Sequence, residues 1–137
     1  MKRLLLLVTL LLVPALAYAT CGPSVVSDLI VHNGRTSVAF AWTAPYANCT
    51  SGGAASEYSV RYSSSPITEQ NFWSATPITD APSVPNSPGG SECGDLMTSQ
   101  GTTYYVALKA KDASGNWSPL SNVITFTTPT SGASTTC

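Results

Sequence analysis

Apolar side chains recur at every second position in three separate stretches of this chain, and that spacing excludes helix there. Val38, Phe40 and Trp42 share one face of an extended segment, with Ser37, Ala39, Ala41 and Thr43 on the other. Tyr58, Val60 and Tyr62 repeat the pattern, with Ser59 and Arg61 turned outward. Tyr104, Val106, Leu108 and Ala110 do so again, opposite Tyr105, Ala107, Lys109 and Lys111. Successive side chains of a strand point to opposite faces, so each stretch predicts a strand with a core side and a water side. Val25 to Val31 is expected as a first strand and Val123 to Thr128 as a last one. No segment carries a convincing helical stripe.

Turn formers separate these stretches. Asn33-Gly34 links the first two strands, Ala44 to Ser56 is a loop containing Pro45, Gly52 and Gly53, and Ser114-Gly115-Asn116 closes a later connection. Between Ser74 and Gly90 stand Pro77, Pro82, Pro85 and Pro88. A proline has no amide to give a ladder, so this stretch is excluded from the middle of a sheet and is expected to cross at an edge. Several short strands with turns between them predict an all-β, antiparallel sandwich, two sheets sharing one core. Its inward positions carry Trp42, Tyr58, Tyr62 and Tyr104, each able to bury about 150–250 Å².

The start of the chain is an address. Lys2 and Arg3 precede an apolar run from Leu4 to Val13, Pro14 breaks it, and Ala17-Tyr18-Ala19 supplies the small residues a signal peptidase requires. The run is shorter than the roughly 20 residues that span a bilayer, so no transmembrane segment is expected after cleavage. Residues 1–19 are therefore set aside as a signal peptide. Residues 20–128 form one domain, and 129–137 a Ser/Thr-rich tail expected to be flexible. Cys21 lies just past the cut and leaves open a lipoprotein anchored through that residue.

Export decides how the cysteines are read. Cys21, Cys49, Cys93 and Cys137 enter an oxidising compartment, where pairing is the rule. No Cys-x-x-Cys spacing occurs, and His32 is the lone histidine, so neither a metal nor any other cofactor is expected. Only 9% of residues are charged, with 6 Lys plus Arg against 7 Asp plus Glu. That balance lacks the basic footprint of a nucleic-acid binder.

Four segments in order resemble a fibronectin type III domain, of the kind found in secreted bacterial proteins. They are Ser37-Val-Ala-Phe-Ala-Trp42-Thr-Ala-Pro45, Glu57-Tyr-Ser-Val-Arg-Tyr62-Ser, Gly101-Thr-Thr-Tyr104-Tyr-Val-Ala-Leu-Lys-Ala110-Lys-Asp, and Gly115-Asn-Trp117-Ser-Pro-Leu-Ser121-Asn-Val123. Together they span about residues 24–128. The resemblance implies an immunoglobulin-like β-sandwich of seven strands, in sheets of three and four. It implies a core role for Trp42 and makes Tyr104 a tyrosine corner, its hydroxyl bonded to backbone just upstream. Leu96 or Met97 is the apolar residue preceding that corner. In this topology Cys49 and Cys93 lie near one pole, and a Cys49–Cys93 disulfide is expected, worth about 4 kcal/mol in chain entropy. Cys21–Cys49 is its competitor, and Cys137 is left to pair with Cys21 or with another chain. No Arg-Gly-Asp occurs, so integrin binding is not implied.

Chemistry-bearing residues are few. His32 beside a predicted turn reads as a solvated side chain rather than a base, and Glu92 and Asp95 read as solvated edge charges rather than a glycosidase pair. Asp112-Ala-Ser-Gly-Asn116 lacks the spaced ligands of a calcium loop and reads as a tight turn with Gly115 at positive φ. Asn48-Cys-Thr50 and Asn116-Trp-Ser118 match the N-glycosylation acceptor pattern only formally. Tyr46, Trp73 and Trp117 are the candidate ligand-contacting aromatics, with Tyr46 and Trp117 expected at one pole and Trp73 near the Pro-rich crossing. The chain is thus expected to be non-catalytic: an exported module for protein recognition, adhesion or spacing. Its alternatives are a carbohydrate-binding accessory that meets polysaccharide through those aromatics, and a structural part of an assembly disulfide-linked through Cys137. N-terminal sequencing of the exported chain should begin at Thr20; any other start breaks the cleavage assignment.

Overall fold

A computed structural model describes residues 21–32 and 37–130. The segment expected to be a signal peptide, the expected turn at Asn33-Gly34, and the tail beyond Thr130 with Cys137 lie outside the described residues. Strands in chain order are β1 (Ile30–His32), β2 (Ser37–Thr43), β3 (Tyr46–Asn48), β4 (Ser51–Ala54), β5 (Glu57–Ser63), β6 (Thr76–Pro77), β7 (Ser91–Met97), β8 (Thr103–Lys111) and β9 (Ile124–Thr127). One 3-10 turn, Phe72–Ser74, precedes β6. All described pairings are antiparallel: a three-stranded sheet β1-β2-β7, a four-stranded sheet β6-β5-β8-β9, and a separate β3–β4 hairpin inside the predicted Ala44–Ser56 loop.

The two larger sheets face each other as a sandwich. Val38, Phe40, Trp42 and Leu96 from one sheet pack with Tyr58, Val60, Val106, Leu108, Ala110 and Phe126 from the other. These are the inward positions of the period-two pattern. Across the interface the Tyr58 ring stands edge-on to Trp42, with centroids 5.3 Å apart at 84°, and Phe40 stacks beside Trp42 at 6.0 Å. Burial pushes the Tyr58 phenol well above its ordinary range, and the nearby Glu92 carboxylate adds to the rise.

The first strand is shorter than expected. Val26 and Leu29 are buried, but ladder pairing starts only at Ile30. Asn122 stands in for a strand partner: its Oδ1 accepts from the Leu29 N–H at 3.0 Å and its Nδ2 donates to the Leu29 carbonyl at 2.8 Å. A side-chain amide can satisfy backbone groups that no ladder reaches.

The Pro-rich stretch crosses at the edge, as expected. Pro77 lies in β6, which pairs with β5 alone. Backbone bonds tie the crossing to both sheets, from Tyr58 N–H to the Ser83 carbonyl at 3.1 Å and from Asp95 N–H to the Asp80 carbonyl at 3.2 Å. Glu92 corrects the expectation of a solvated edge charge. It is 4% exposed, because its carboxylate accepts from the Asn86 N–H at 2.5 Å, the Asn86 amide at 3.0 Å and the Tyr58 hydroxyl at 3.4 Å. A chain with so many prolines carries few amide donors, and this buried carboxylate collects two from Asn86 to hold the crossing down.

The disulfide is a second correction. Cys49 pairs with Cys21, with Cα atoms 5.6 Å apart, not with Cys93. The reason is backbone pairing: Cys49 N–H donates to the Gly22 carbonyl at 2.8 Å and Ser24 N–H to the Tyr46 carbonyl at 3.0 Å. Those bonds lay the N-terminal segment along β3. Cys93 instead faces outward from β7 opposite Ala41, and it too is disulfide-bonded. The Cys21–Cys49 bond, at a sequence separation of 28, contributes about 3.5 kcal/mol in chain-entropy terms. The same bond engages the sulfur through which lipid would attach at Cys21.

Gly94 is the inward residue of β7 opposite Phe40. A Cβ there would stand 2.7 Å from two carbons of the Phe40 ring and 3.1 Å from the Ala81 methyl. Gly94→Ala is therefore expected to lower stability by about 1–3 kcal/mol, the usual cost of overpacking. A shift in the urea midpoint at constant m-value reads it; an unchanged midpoint would mean that the Phe40 ring moves aside freely.

Candidate functional site

The three basic residues among the described ones fall on one face. Arg61 on β5 and Lys109 and Lys111 on β8 project from the outer side of the four-stranded sheet, where register sets Ser59 against Lys109 and Glu57 against Lys111. The segment after β5 folds back over this face. Asn71 staples it, its Oδ1 accepting from the Thr68 N–H at 2.7 Å and its Nδ2 donating to the Pro66 carbonyl at 3.0 Å. Phe72 is thereby buried with Ile67 against Ala107, a second small core behind the sheet.

Aromatic rings and cations interleave along the face. Phe72 meets Trp73 at 4.9 Å and Trp73 meets Trp117 at 4.9 Å, both edge-to-face. Arg61 lies over Trp73 at 5.0 Å and over Phe72 at 5.6 Å. Lys109 lies 5.6 Å over Phe72, and Lys111 5.1 Å over Trp117. Each such contact is worth about 0.5–1 kcal/mol at an exposed site and more where water is excluded. Arg61 is fixed further: its Nη1 donates to the Trp73 and Ala75 carbonyls at 3.0 and 2.8 Å, and its Nε to Ser59 Oγ at 3.0 Å.

The lysines are paired. Lys109 bonds to Glu69 and Lys111 to Glu57. Lys109, read from sequence as an outward residue, is 5% exposed, because the folded-back segment roofs it. The other Glu69 oxygen accepts from the Leu120 N–H at 2.9 Å. Bonding to Lys109 in the first place, then the Leu120 amide, holds the Glu69 carboxyl below its ordinary range.

Trp117 reaches this face because its own segment is pinned to β8. Ser118 Oγ accepts from the Ala110 N–H at 3.0 Å and Ser121 Oγ from the Leu108 N–H at 2.9 Å. Pro119 between them interrupts a regular ladder, and the two buried hydroxyls supply the acceptors that a strand would have given. Sequence reasoning missed this device. Its visible signal is a serine on either side of Pro119, each at a position that faces β8.

The three candidate aromatics do not form one platform. Trp73 is 47% exposed and touches half-buried Trp117. Tyr46, 44% exposed, sits on β3 with its N–H on Ser24 Oγ at 3.0 Å, and no ring contact joins it to either tryptophan among the described residues. It borders a separate shallow depression of about 330 Å³ with Val25, Asp28, Pro45 and Gly89.

A second depression, about 510 Å³, lies between the Cys21–Cys49 end and the β8–β9 connection, and Asn48, Asp112, Ser114 and Asn116 line it. Asp112 is spent within its own turn. Its Oδ1 accepts from the Ser114 and Asn116 N–H groups, each at 2.8 Å, and its Oδ2 from the Asn116 amide at 2.8 Å. Gly115 takes φ +90° as expected. The Asn116 bonds foremost hold the Asp112 carboxyl below its ordinary range. Cation ligation here would have to displace these donors, and among the described residues no group of three or more His, Cys, Asp or Glu is placed to hold a metal. His32 ends β1 at the surface.

At the opposite end, Tyr104 accepts from the Ser99 N–H at 3.1 Å, while its ring packs near Phe126 and Tyr62 at 5.9 and 6.0 Å. A tyrosine bonded to backbone five residues upstream marks the corner of an immunoglobulin-like sandwich. No protein-family model matches the sequence, and no curated protein matches it. Solved structures do. A fibronectin type III domain of human fibronectin type III domain containing protein 3 aligns with TM-score 0.53 and 18% identity, over 85% of this chain and 95% of that one. The sixth such domain of a human protein of the same description aligns with TM-score 0.50 and 19% identity, over 85% and 94%.

The chain has the fibronectin type III fold.

Within that fold, Leu96 rather than Met97 is the buried residue before the tyrosine corner: it is 6% exposed against 69%. The interleaved face lies on the outer side of the four-stranded sheet, whose other side is core. Among the described residues no helix is long and apolar enough to cross a membrane.

Acid should loosen this domain of fibronectin type III fold in a defined window. Glu69 and Asp112 have folded values below their ordinary range, so their contribution is complete above the unfolded carboxyl range and is lost as pH falls through the lowered folded values. Urea midpoints are expected to hold from neutrality to about pH 5 and then to drop. Glu69→Gln and Asp112→Asn should each flatten that acid limb; an acid limb unchanged in both variants would contradict the assignment.

Proposed function

We propose that this chain is a non-catalytic, exported recognition module that engages an extracellular protein through the outer face of its four-stranded sheet. The observation that carries this reading is the Trp73 indole, half in water yet held on one side by Arg61 and at its edge by Trp117. Trp is enriched among the residues that dominate binding energy, and a ring already fixed in place loses little freedom on docking. Lys109 and Lys111 are paired with Glu69 and Glu57, so an arriving partner meets an apolar ring flanked by the Arg61 guanidinium. Asp112, Glu92 and Glu69 are consumed by local donors, which supports binding rather than acid–base chemistry. The Cys21–Cys49 bond and the leader-like first residues support export, and the family resemblance supports a bacterial source.

A carbohydrate-binding role is the second reading, and the exposed Trp73–Trp117 pair is the observation that favours it. The separation of Tyr46 from that pair argues against a three-ring sugar platform. A role in an assembly disulfide-linked through Cys137 is the third.

A photoreactive side chain in place of Trp73 is expected to give a protein adduct in the native compartment, whereas one in place of Val84, 73% exposed on the crossing, is expected to give none. Tryptophan fluorescence should not move on titration with plant or bacterial polysaccharides. Equal adduct yields at both positions would sink the reading. A saturable fluorescence shift, abolished by Trp73→Ala, would select the carbohydrate alternative.

A further inference from the structure

Arg61 differs from the two lysines beside it. Lys109 is bonded to Glu69 and Lys111 to Glu57, whereas Arg61 meets no carboxylate among the described residues. Neutral acceptors hold it instead: the Trp73 and Ala75 carbonyls take hydrogens from Nη1, and Ser59 Oγ takes the one on Nε. These partners fix the guanidinium without cancelling its charge. A guanidinium carries five N–H donors and stays protonated in proteins. With Nε and Nη1 engaged, both hydrogens of Nη2 are left over. Water reaches Nη2, because the buried side-chain polar atoms without a partner among the described residues are Trp42 Nε1 and Thr98 Oγ1.

The charge around this point has the opposite sign. The described residues hold three Lys and Arg side chains, all on this face, against seven Asp and Glu. Glu57 and Glu69 are bonded to the lysines. Asp28 precedes β1, Asp80 lies on the Pro-rich crossing, Glu92 and Asp95 lie on β7, and Asp112 sits in its own turn. An acidic segment is therefore repelled over much of the domain and attracted where an unneutralised cation stands beside the exposed Trp73 ring.

We infer that the protein partner of this face presents an Asp or Glu side chain to Arg61, its carboxylate accepting from Nη2, while a neighbouring apolar side chain of the same segment covers the Trp73 ring. This rests on the protein-recognition reading and adds the chemistry that selects the partner. The carboxylate comes end-on to one nitrogen, since the two-nitrogen fork that usually grips it is already engaged through Nε and Nη1. A sulfate or phosphate group would find too few donors here, because the neighbouring lysines have their own carboxylates. The guanidinium is held before the partner arrives, so little freedom is lost on binding.

The test uses the full exported chain. With a photoreactive side chain at position 73, the partner peptide joined to it in the native compartment is sequenced. That peptide is then synthesised in two forms, one with its acidic residues and one with their amides. An Asp or Glu is expected within about three residues of the joined position. The acidic form should bind the parent chain about fivefold more tightly than the amide form, and the two should bind Arg61→Gln equally. A joined peptide without an acid in that span, equal binding of both forms to the parent, or a preference that persists in Arg61→Gln would each overturn the inference and leave the protein-recognition reading standing. No protein adduct at all, or an adduct on acidic polysaccharide, would remove both. If Arg61→Gln does not fold, the parent chain decides: its preference for the acidic form should shrink as NaCl rises from about 0.02 to about 0.5 M. The net negative charge of the described residues would alone give the opposite trend, so a preference that holds or grows with salt would overturn the inference.

Discussion

The contact of Tyr58 on Trp42 is the point from which this structure is organised. It joins the two sheets edge to face at 5.3 Å, in a core where Phe40, Val106 and Leu108 exclude water completely. A large ring at this depth demands that its polar end be satisfied, and the Tyr58 hydroxyl finds Glu92. Glu92 in turn holds Asn86 and with it the Pro-rich crossing. One aromatic contact therefore sets the sheet spacing and also anchors a segment with too few amides to anchor itself.

The same economy governs the outer face of the four-stranded sheet. A chain with 9% charged residues places its Arg61, Lys109 and Lys111 on one surface and covers each with an aromatic ring. The cations lose water to rings and to Glu57 and Glu69, so the cluster is stabilising without being strongly charged. Ser118 and Ser121 complete it by bonding β8 where Pro119 prevents a ladder. The surface is consequently rigid, and Trp73 is presented on a frame rather than on a loose loop.

How much of this was legible in the residues depends on the range of the interaction. Period-two alternation placed β2, β5 and β8 and the inward set of Trp42, Tyr58 and Tyr104, because it reports local geometry and burial together. Four proline positions placed the edge crossing for a reason equally local, the missing amides. The Cys49–Cys93 assignment failed because a disulfide depends on which backbones run side by side, and the pairing of residues 22–24 with β3 has no local signature. Glu92 was misjudged for a similar reason: its donors come from Asn86 across a turn and from Tyr58 in the facing sheet.

The amino-acid sequence by itself determined the fold class, the core-facing side chains and the turn at Gly115, since each follows from strand periodicity or from the φ a residue tolerates. Only the tertiary structure decided that Trp73 and Trp117 touch while Tyr46 stands apart. It also decided that Lys109 is roofed over and that Cys21 is the partner of Cys49. Those outcomes depend on segments far apart in the chain meeting on one surface, and alternation along a strand contains no information about what folds back over its outer side.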